Sequence, residues 1–414
     1  MLLPKLFRVK QELEGPRVAD VAGAVRDTLR SLSLRETVRP GQTVAITAGS
    51  RGIANIARIL RAAVDELAAI GLAPFIVPAM GSHGGATAEG QRSILARYGI
   101  TEAAMGCPVK SSMEAVEIGQ TKGTPVFCDR QAWEADHIVV VGWINAHPDF
   151  SGEIESGLFK MMAIGLGKQQ GAEHYHRAGQ HYSYAEIFPL VGRAVLESGH
   201  VLCGLGIVQN GYGETARVCA LLPHEFEAGE KALLREAKAW KARLPFEAID
   251  LLIVDEMGKN INGAGMDPLV IGRPTLQRPA GQPTVRHLFV RSLTPESEGN
   301  AIGIGFADLT TWRLVKQIDY QAMYMNGITS SDTHDSKVPM AFHTDRDAIR
   351  TALQMNGLTP PTAARVVRIK STRDLLEFDA SESLRAEVKA HGRLSQITDP
   401  APLAFDDSGN LPPF

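Results

Sequence analysis

Three histidines, two lysines and five glycines share the segment NAHPDFSGEIESGLFKMMAIGLGKQQGAEHYH, from Asn145 to His176. A helix built only for packing avoids glycine and has no need of imidazoles. This composition reads as a segment that holds something. Histidine exchanges a proton near neutral pH, and its imidazole also suits nickel, zinc and copper. Lys160 lies inside the apolar run GLFKMMAIGLG. A buried ammonium is costly unless it is paired or chemically used. Lys160 therefore reads either as a covalent anchor or as a lysine at a helix start whose amine reaches solvent. His174 and His176 form an HxH pair, and either is a candidate metal ligand; no HExxH motif accompanies them.

Two further turns carry reactive side chains. His83 sits in GSHGG, directly after the apolar run APFIVPAM, and His147 follows HIVVVGWINA. Two histidines facing one substrate carbon from opposite sides permit proton transfer on either face, which is what a racemase requires. Ser50 and Arg51, in AGSRG, follow a third apolar run. Their backbone amides, with the bidentate guanidinium, suit a phosphate.

The elements that must position these residues are legible. TVAITA reads as a strand, IANIARILRAAVDELAAIG as a helix, APFIVPAM as a strand and AEGQRSILARYG as a helix, with HIVVVGWINAHPDF another strand. Strand, glycine turn and helix in this rhythm predict right-handed βαβ units on a parallel sheet, with ligands beyond the carboxyl ends of its strands. The helix EFEAGEKALLREAKAWKARL ends before Pro245, where IDLLIVDEM restarts the pattern. The expectation is an α/β fold of two domains, 1–244 and 245–414, with parallel or mixed sheets and a cofactor and substrate cleft between them. In the second half HLFVRSL, NAIGIGFADL and RVVRIKST read as strands, WRLVKQIDYQAMYMNGI as one helix and residues 373–391 as another.

A net charge of -3 over 414 residues leaves no electrostatic case for nucleic acid or an anionic membrane. No apolar run approaches the length of a membrane span, and the start lacks a signal-peptide pattern. The four cysteines form no CxxC pair, which suggests free thiols and a cytoplasmic location.

VAITAGSRGIAN is similar to the glycine fingerprint of short-chain dehydrogenases, but Ala54 replaces its last glycine and no YxxxK pair occurs. Taken in order, the segments resemble the nickel-dependent lactate racemase family, whose members use a nickel-pincer nucleotide. AGSR matches that family's Asp-x-Thr-Arg phosphate turn at Ser50 and Arg51, with Ala48 in the place of its aspartate. GSHGG matches its first catalytic histidine at His83, with Gly84 and Gly85 in the place of Arg-Pro. His147 resembles the second catalytic histidine, SGLFK ends in Lys160 at the position of the tethering lysine, and His176 falls where the family places its nickel ligand, with His174 the alternative.

In the second half Lys259 and Asn262 match a substrate-binding run, Gly265 and Pro268 stand where the family has glutamine and lysine, and Arg273 is a candidate for a substrate carboxylate. The resemblance implies stereoinversion of a 2-hydroxy acid by hydride transfer to and from the tethered cofactor, with His83 and His147 as acid and base. It also implies enzymes of pincer-cofactor synthesis as partners. Epimerisation of a sugar acid or larger hydroxy acid, and a non-catalytic nucleotide-binding protein of the same fold, are the alternatives.

Overall fold

The computed structural model describes residues 1–414 except 51–52, 148–149, 180–181, 274–281 and 331–332, and it omits the side chains of 329 and 330. The chain divides into two compact units. One is Glu14–Lys241; the other joins Met1–Leu13 to Ala242–Phe414. The first strand, β1 (Lys5–Gln11), thus belongs with the second half of the chain, a difference from the expected 1–244 grouping. Its buried residues Phe7 and Val9 find their partners there, and its backbone pairs with residues 377–381 and 394–396.

In the unit Glu14–Lys241, helix α1 (Val21–Arg30) precedes strand β2 (Thr43–Ala48). Helix α2 (Ile56–Ala69), β3 (Ala73–Pro78) and α3 (Ala88–Arg97) follow. After the single turn α4 (Glu102–Met105) comes a hairpin of β4 (Ala115–Thr121) and β5 (Thr124–Asp129), then the turn α5 (Arg130–Trp133) and β6 (His137–Trp143). Helix α6 (Leu158–Lys160) runs into a π-turn at Met161–Gly165, and α7 (Lys168–Ala178) and α8 (Tyr184–Glu197) complete the helical stretch. Strands β7 (Val201–Gln209) and β8 (Thr215–Leu221) and helix α9 (Phe226–Trp240) close the unit.

The sheet order is β3-β2-β6-β7-β8, parallel except for β8. Alternate residues of β2 and β6 serve two cores. Val44, Ile46, Val139 and Val141 pack with α1 and α2, whereas Ala45, Ile138 and Val140 pack with α6, α8 and α9. Both faces are covered, as a parallel sheet requires.

The other unit has a nine-stranded mixed sheet. Strands β9 (Ala248–Met257), β10 (Thr284–Leu293), β11 (Leu309–Thr311), β12 (Met340–Phe342) and β13 (Val366–Ile369) run parallel in the order β12-β11-β10-β9-β13. Strand β14 (Glu377–Ser381), then β1 and β15 (Leu394–Gln396) continue it antiparallel. Its helices include α10 (Pro268–Ile271), α11 (Trp312–Val315), α12 (Tyr320–Ser330), α13 (Asp345–Gln354) and α14 (Arg385–Ala390).

Three expected elements differ. Residues 373–391 form β14 and α14, not one helix, because Phe378 and Ala380 fill the sheet's core. The single helix expected from Trp312 is two, parted where Asp319 turns its N–H to the Gly299 carbonyl and caps Ala322. NAIGIGFADL is mostly turn, with Gly303 at φ +92° against the Ala264 carbonyl. Among the described residues no helix is long and apolar enough to cross a membrane, and all four cysteines are free thiols.

Candidate active site

His147 follows β6 in a loop closed by mutual backbone hydrogen bonds between Asn145 and Ser156. Glu155, buried at 1% exposure, fixes that loop. Its carboxylate accepts the N–H of His147 at 2.7 Å and of Gly152 at 2.8 Å, and pairs with Lys238. The His147 ring is stacked on Phe150, 4.4 Å between centroids, with Phe188 beyond. On its edge Nε2 meets the Lys160 amine at 2.8 Å. Lys160 is half-buried at the end of α6, so the solvent-tail reading gives way to an amine directed at an imidazole.

His176 lies on α7, where Nδ1 donates to the Ala172 carbonyl at 3.1 Å, which leaves the lone pair on Nε2. Burial, and secondarily the charge of Lys160, push its imidazole down to about 4. It is neutral at physiological pH, the state a metal ligand needs. Its ring also contacts Tyr184. His174 is two residues away, about 200° around the helix, and meets Phe127 and Tyr175 instead. Lys160, His147 and His176 are therefore one cluster, walled by Phe150, Tyr184 and Phe188, and His174 faces elsewhere.

The turns after β2 and β3 pack on the π-turn beyond Lys160. Gly49 has the methyl of Met161 within 3.1 Å of where a Cβ would stand, and Gly81 is similarly backed by Ile164. His83 is exposed on the second turn, with Nδ1 2.5 Å from the Ser50 hydroxyl of the first. Ser50 is thus placed as a partner of His83, a contact its expected phosphate role did not include. Gly84 has φ +70°, and a side chain there would meet the Gly90 backbone at 2.6 Å, so this backbone has no place for the arginine of the resembled motif. Arg51 lies outside the described residues.

In the other unit, Lys259 and Asn262 follow the carboxyl end of β9. The Lys259 amine donates to the Gly263 carbonyl and to Asn326 Oδ1, both at 2.8 Å, and Asn262 Oδ1 accepts from the Ala264 N–H. Arg273 lies by the amino end of β10, donating to the Val285 carbonyl and pairing with Asp308 at 2.8 Å. That is the strand end away from the usual ligand side.

Sequence reasoning missed Glu230. Carried by α9, it is fully buried, and its Oε2 accepts the N–H of Leu158 at 2.7 Å and of Phe159 at 3.1 Å, capping the helix that presents Lys160. Its Oε1 has no hydrogen-bond partner among the described residues and lies against Gly157, where a Cβ would be 2.3 Å away. Burial outweighs the two amide donors and pushes this carboxyl up to about 8. The folded state holds the proton more tightly than an unfolded chain titrating near 4.5. The stabilisation is complete below that pH and is lost as pH rises toward 8. Urea unfolding at about pH 5 and pH 8 should show a larger loss in wild type than in Glu230→Gln; parallel pH profiles would refute the assignment.

Residues 5–186 match the family of the lactate racemase N-terminal domain. Among solved structures the chain is similar to the lactate racemase apoprotein of Thermoanaerobacterium thermosaccharolyticum, at 14% identity and a TM-score of 0.45, over 87% of this chain and 84% of that one. No curated protein matches. Over residues 5–186, less than half of its length, the chain is similar to the lactate racemase family.

Proposed function

We propose that this protein is a racemase or epimerase of 2-hydroxy acids that works with a nickel-pincer nucleotide held by Lys160 and His176. The observation that carries the reading is the Lys160 amine 2.8 Å from His147 Nε2, with the neutral His176 facing the same amine. The donor set fits such a group. It has one amine for a tether, one imidazole whose Nδ1–H is anchored on a carbonyl so that Nε2 can ligate, and glycine turns at the ends of β2 and β3 for close backbone approach. No three His, Cys, Asp or Glu side chains cluster among the described residues, so His176 would be the chain's own metal donor.

When bound, the group would accept and return the substrate's hydride, with nickel tuning it as an acceptor. The remaining work falls to the chain. As an unmodified ammonium Lys160 occupies the Nε2 lone pair of His147. Acylation of that amine removes its charge and two of its three protons, returning the lone pair to acid–base work. His83, oriented by Ser50, is the second acid–base residue. Phe150, Tyr184 and Phe188 keep water from His147 and keep His176 uncharged.

One observation favours a substrate larger than lactate, such as a sugar acid. Gly265, at the position of the family's glutamine, has φ +74°, and a Cβ there would lie 2.3 Å from the Ile302 carbonyl. The glutamine is sterically excluded, so a different substrate contact is expected.

Protein co-produced with pincer-synthesis enzymes should carry about one nickel per chain and interconvert the stereoisomers of at least one member of a hydroxy-acid panel, read by chiral chromatography. Loaded protein without stereoinversion on lactate, larger 2-hydroxy acids and sugar acids would leave a cofactor-binding protein. Absence of both nickel and adduct would overturn the reading.

A further inference from the structure

Helix α7 opens on a residue that no motif singles out. Lys168 is fully buried and adopts φ +54°, a left-handed conformation unfavourable for a residue with a Cβ. Burying an ammonium and straining its backbone are both costly, and an apolar residue of similar volume would serve packing alone at least as well. The ammonium donates two hydrogen bonds and makes one ion pair. Nζ lies 2.9 Å from the Pro78 carbonyl, 2.9 Å from Gln91 Oε1 and 3.1 Å from Asp129 Oδ2.

Each of these partners leads to a different piece of the site. Pro78 is the last residue of β3, immediately before the His83 turn. Gln91 is fully buried on α3 and turns its amide onto that turn, Nε2 donating to the Gly81 carbonyl at 2.8 Å and the His83 carbonyl at 3.3 Å. Asp129 ends β5, with its other oxygen capping Ala132. Tyr175, one turn before the end of α7, bonds the β5 backbone at Phe127 and Pro125, so the helix is anchored to the hairpin at two levels.

We propose that Lys168 is a positioning residue that fixes the His83 turn against α7, the helix carrying His176, through Pro78 and Gln91. The inference rests on the proposed function for its catalytic consequence, but the clamp itself is a statement about the chain alone. The ammonium touches neither the acid–base nitrogens nor the tether; it sets the register in which they are presented. Its own charge is balanced by Asp129, so a buried pair is kept at the junction instead of a lone cation.

Two variants test this on full-length protein co-produced with the pincer-synthesis enzymes. Gln91→Leu cuts the link to the turn and leaves the Lys168–Asp129 pair. Lys168→Met with Asp129→Asn removes both charges and keeps the cap on Ala132. Hydrogen exchange of the Gly81–Ala86 amides is expected to quicken by about tenfold or more in both, with the Lys160 adduct mass and nickel content unchanged. Turnover should fall by about 10²-fold in kcat with KM altered by less than about threefold, because a displaced acid–base residue costs the transition state more than binding.

Unchanged exchange over Gly81–Ala86 in folded Gln91→Leu would overturn the clamp. Faster exchange with unchanged kcat would overturn the positioning role. If the double variant fails to fold, Gln91→Leu decides both points. A wild-type protein that loads cofactor but inverts nothing removes the proposed function, and the exchange measurement still decides the clamp.

Discussion

Lys160→Ala is expected to lose the covalent adduct and to drop stereoinversion by at least about 10³-fold, to background, while the protein stays folded. The fold survives because the elements around the amine are held by other groups. Glu230 caps α6, and Glu155 holds the loop of His147 through its backbone. The loss would therefore be chemical. Removing the amine also takes away the charge that helps to depress His176, so that imidazole should rise somewhat from about 4, while burial, the larger cause, keeps it low. An NMR titration of His176 reads this without any turnover. Lys160→Arg keeps a charge near His176 but cannot form the tether, so it should be equally inactive with a still-depressed imidazole. An active Lys160→Ala enzyme would defeat the tether outright.

The largest loss of stability is expected from Asp255→Ala in the second sheet. Asp255, on β9, accepts two hydrogen bonds from Arg368 at 2.8 and 2.7 Å and a third from Arg291, and all three side chains are buried. Arg291 also bonds Asp345 at 2.8 Å, and Asp345 pairs with Arg313 at 3.0 Å. Deleting one carboxylate from such a network leaves two guanidinium groups under-compensated away from water, a loss of about 3–5 kcal/mol. The exposed Arg193–Glu227 pair, at 2.9 Å, is worth less than about 1 kcal/mol by comparison. Urea unfolding followed by a probe in the Ala242–Phe414 portion would show the shifted transition. A change under about 1 kcal/mol would mean that the network is more hydrated than its burial indicates.

The parts of the site legible in the sequence are those whose residue type alone is unusual for its setting. A lysine amid apolar residues, histidines at strand ends and glycines in a helical stretch all break local rules; they mark His147, Lys160 and the His174/His176 pair as candidates, while the roles given to Lys160 and His176 came from the family resemblance. The resemblance put His176 ahead of His174; what only the helix supplies is their separation, since HxH on α7 sends the two rings to opposite sides. Glu230, Glu155, Gln91 and Lys168 break no local rule. Each is an ordinary helix or loop residue whose role depends on burial and on partners far along the chain: Glu230 is 72 residues from Leu158 and Lys168 is 90 from Pro78. Of the fold, the βαβ rhythm of the first sheet was readable from alternating strand and helix patterns. The misread stretch 373–391 contains helix formers on both sides of EFDAS, and only the sheet edge it fills decides for a strand.

Strand β1 has a consequence for the order of events at the ribosome. It lies between β14 and β15, with Arg8 bonded to Asp379 across 371 residues of sequence. At ordinary elongation rates that partner emerges roughly 20–75 s after β1 does. Residues 14–241 can collapse on their own sheet during that interval, while the leading strand must wait without its neighbours. Nascent chains halted anywhere before residue 377 should carry a protease-sensitive N-terminus ahead of a protected block, and a fragment starting at Ala242 should lack an interior strand and aggregate through the gap. The last domain to finish would then be the one that supplied the first strand.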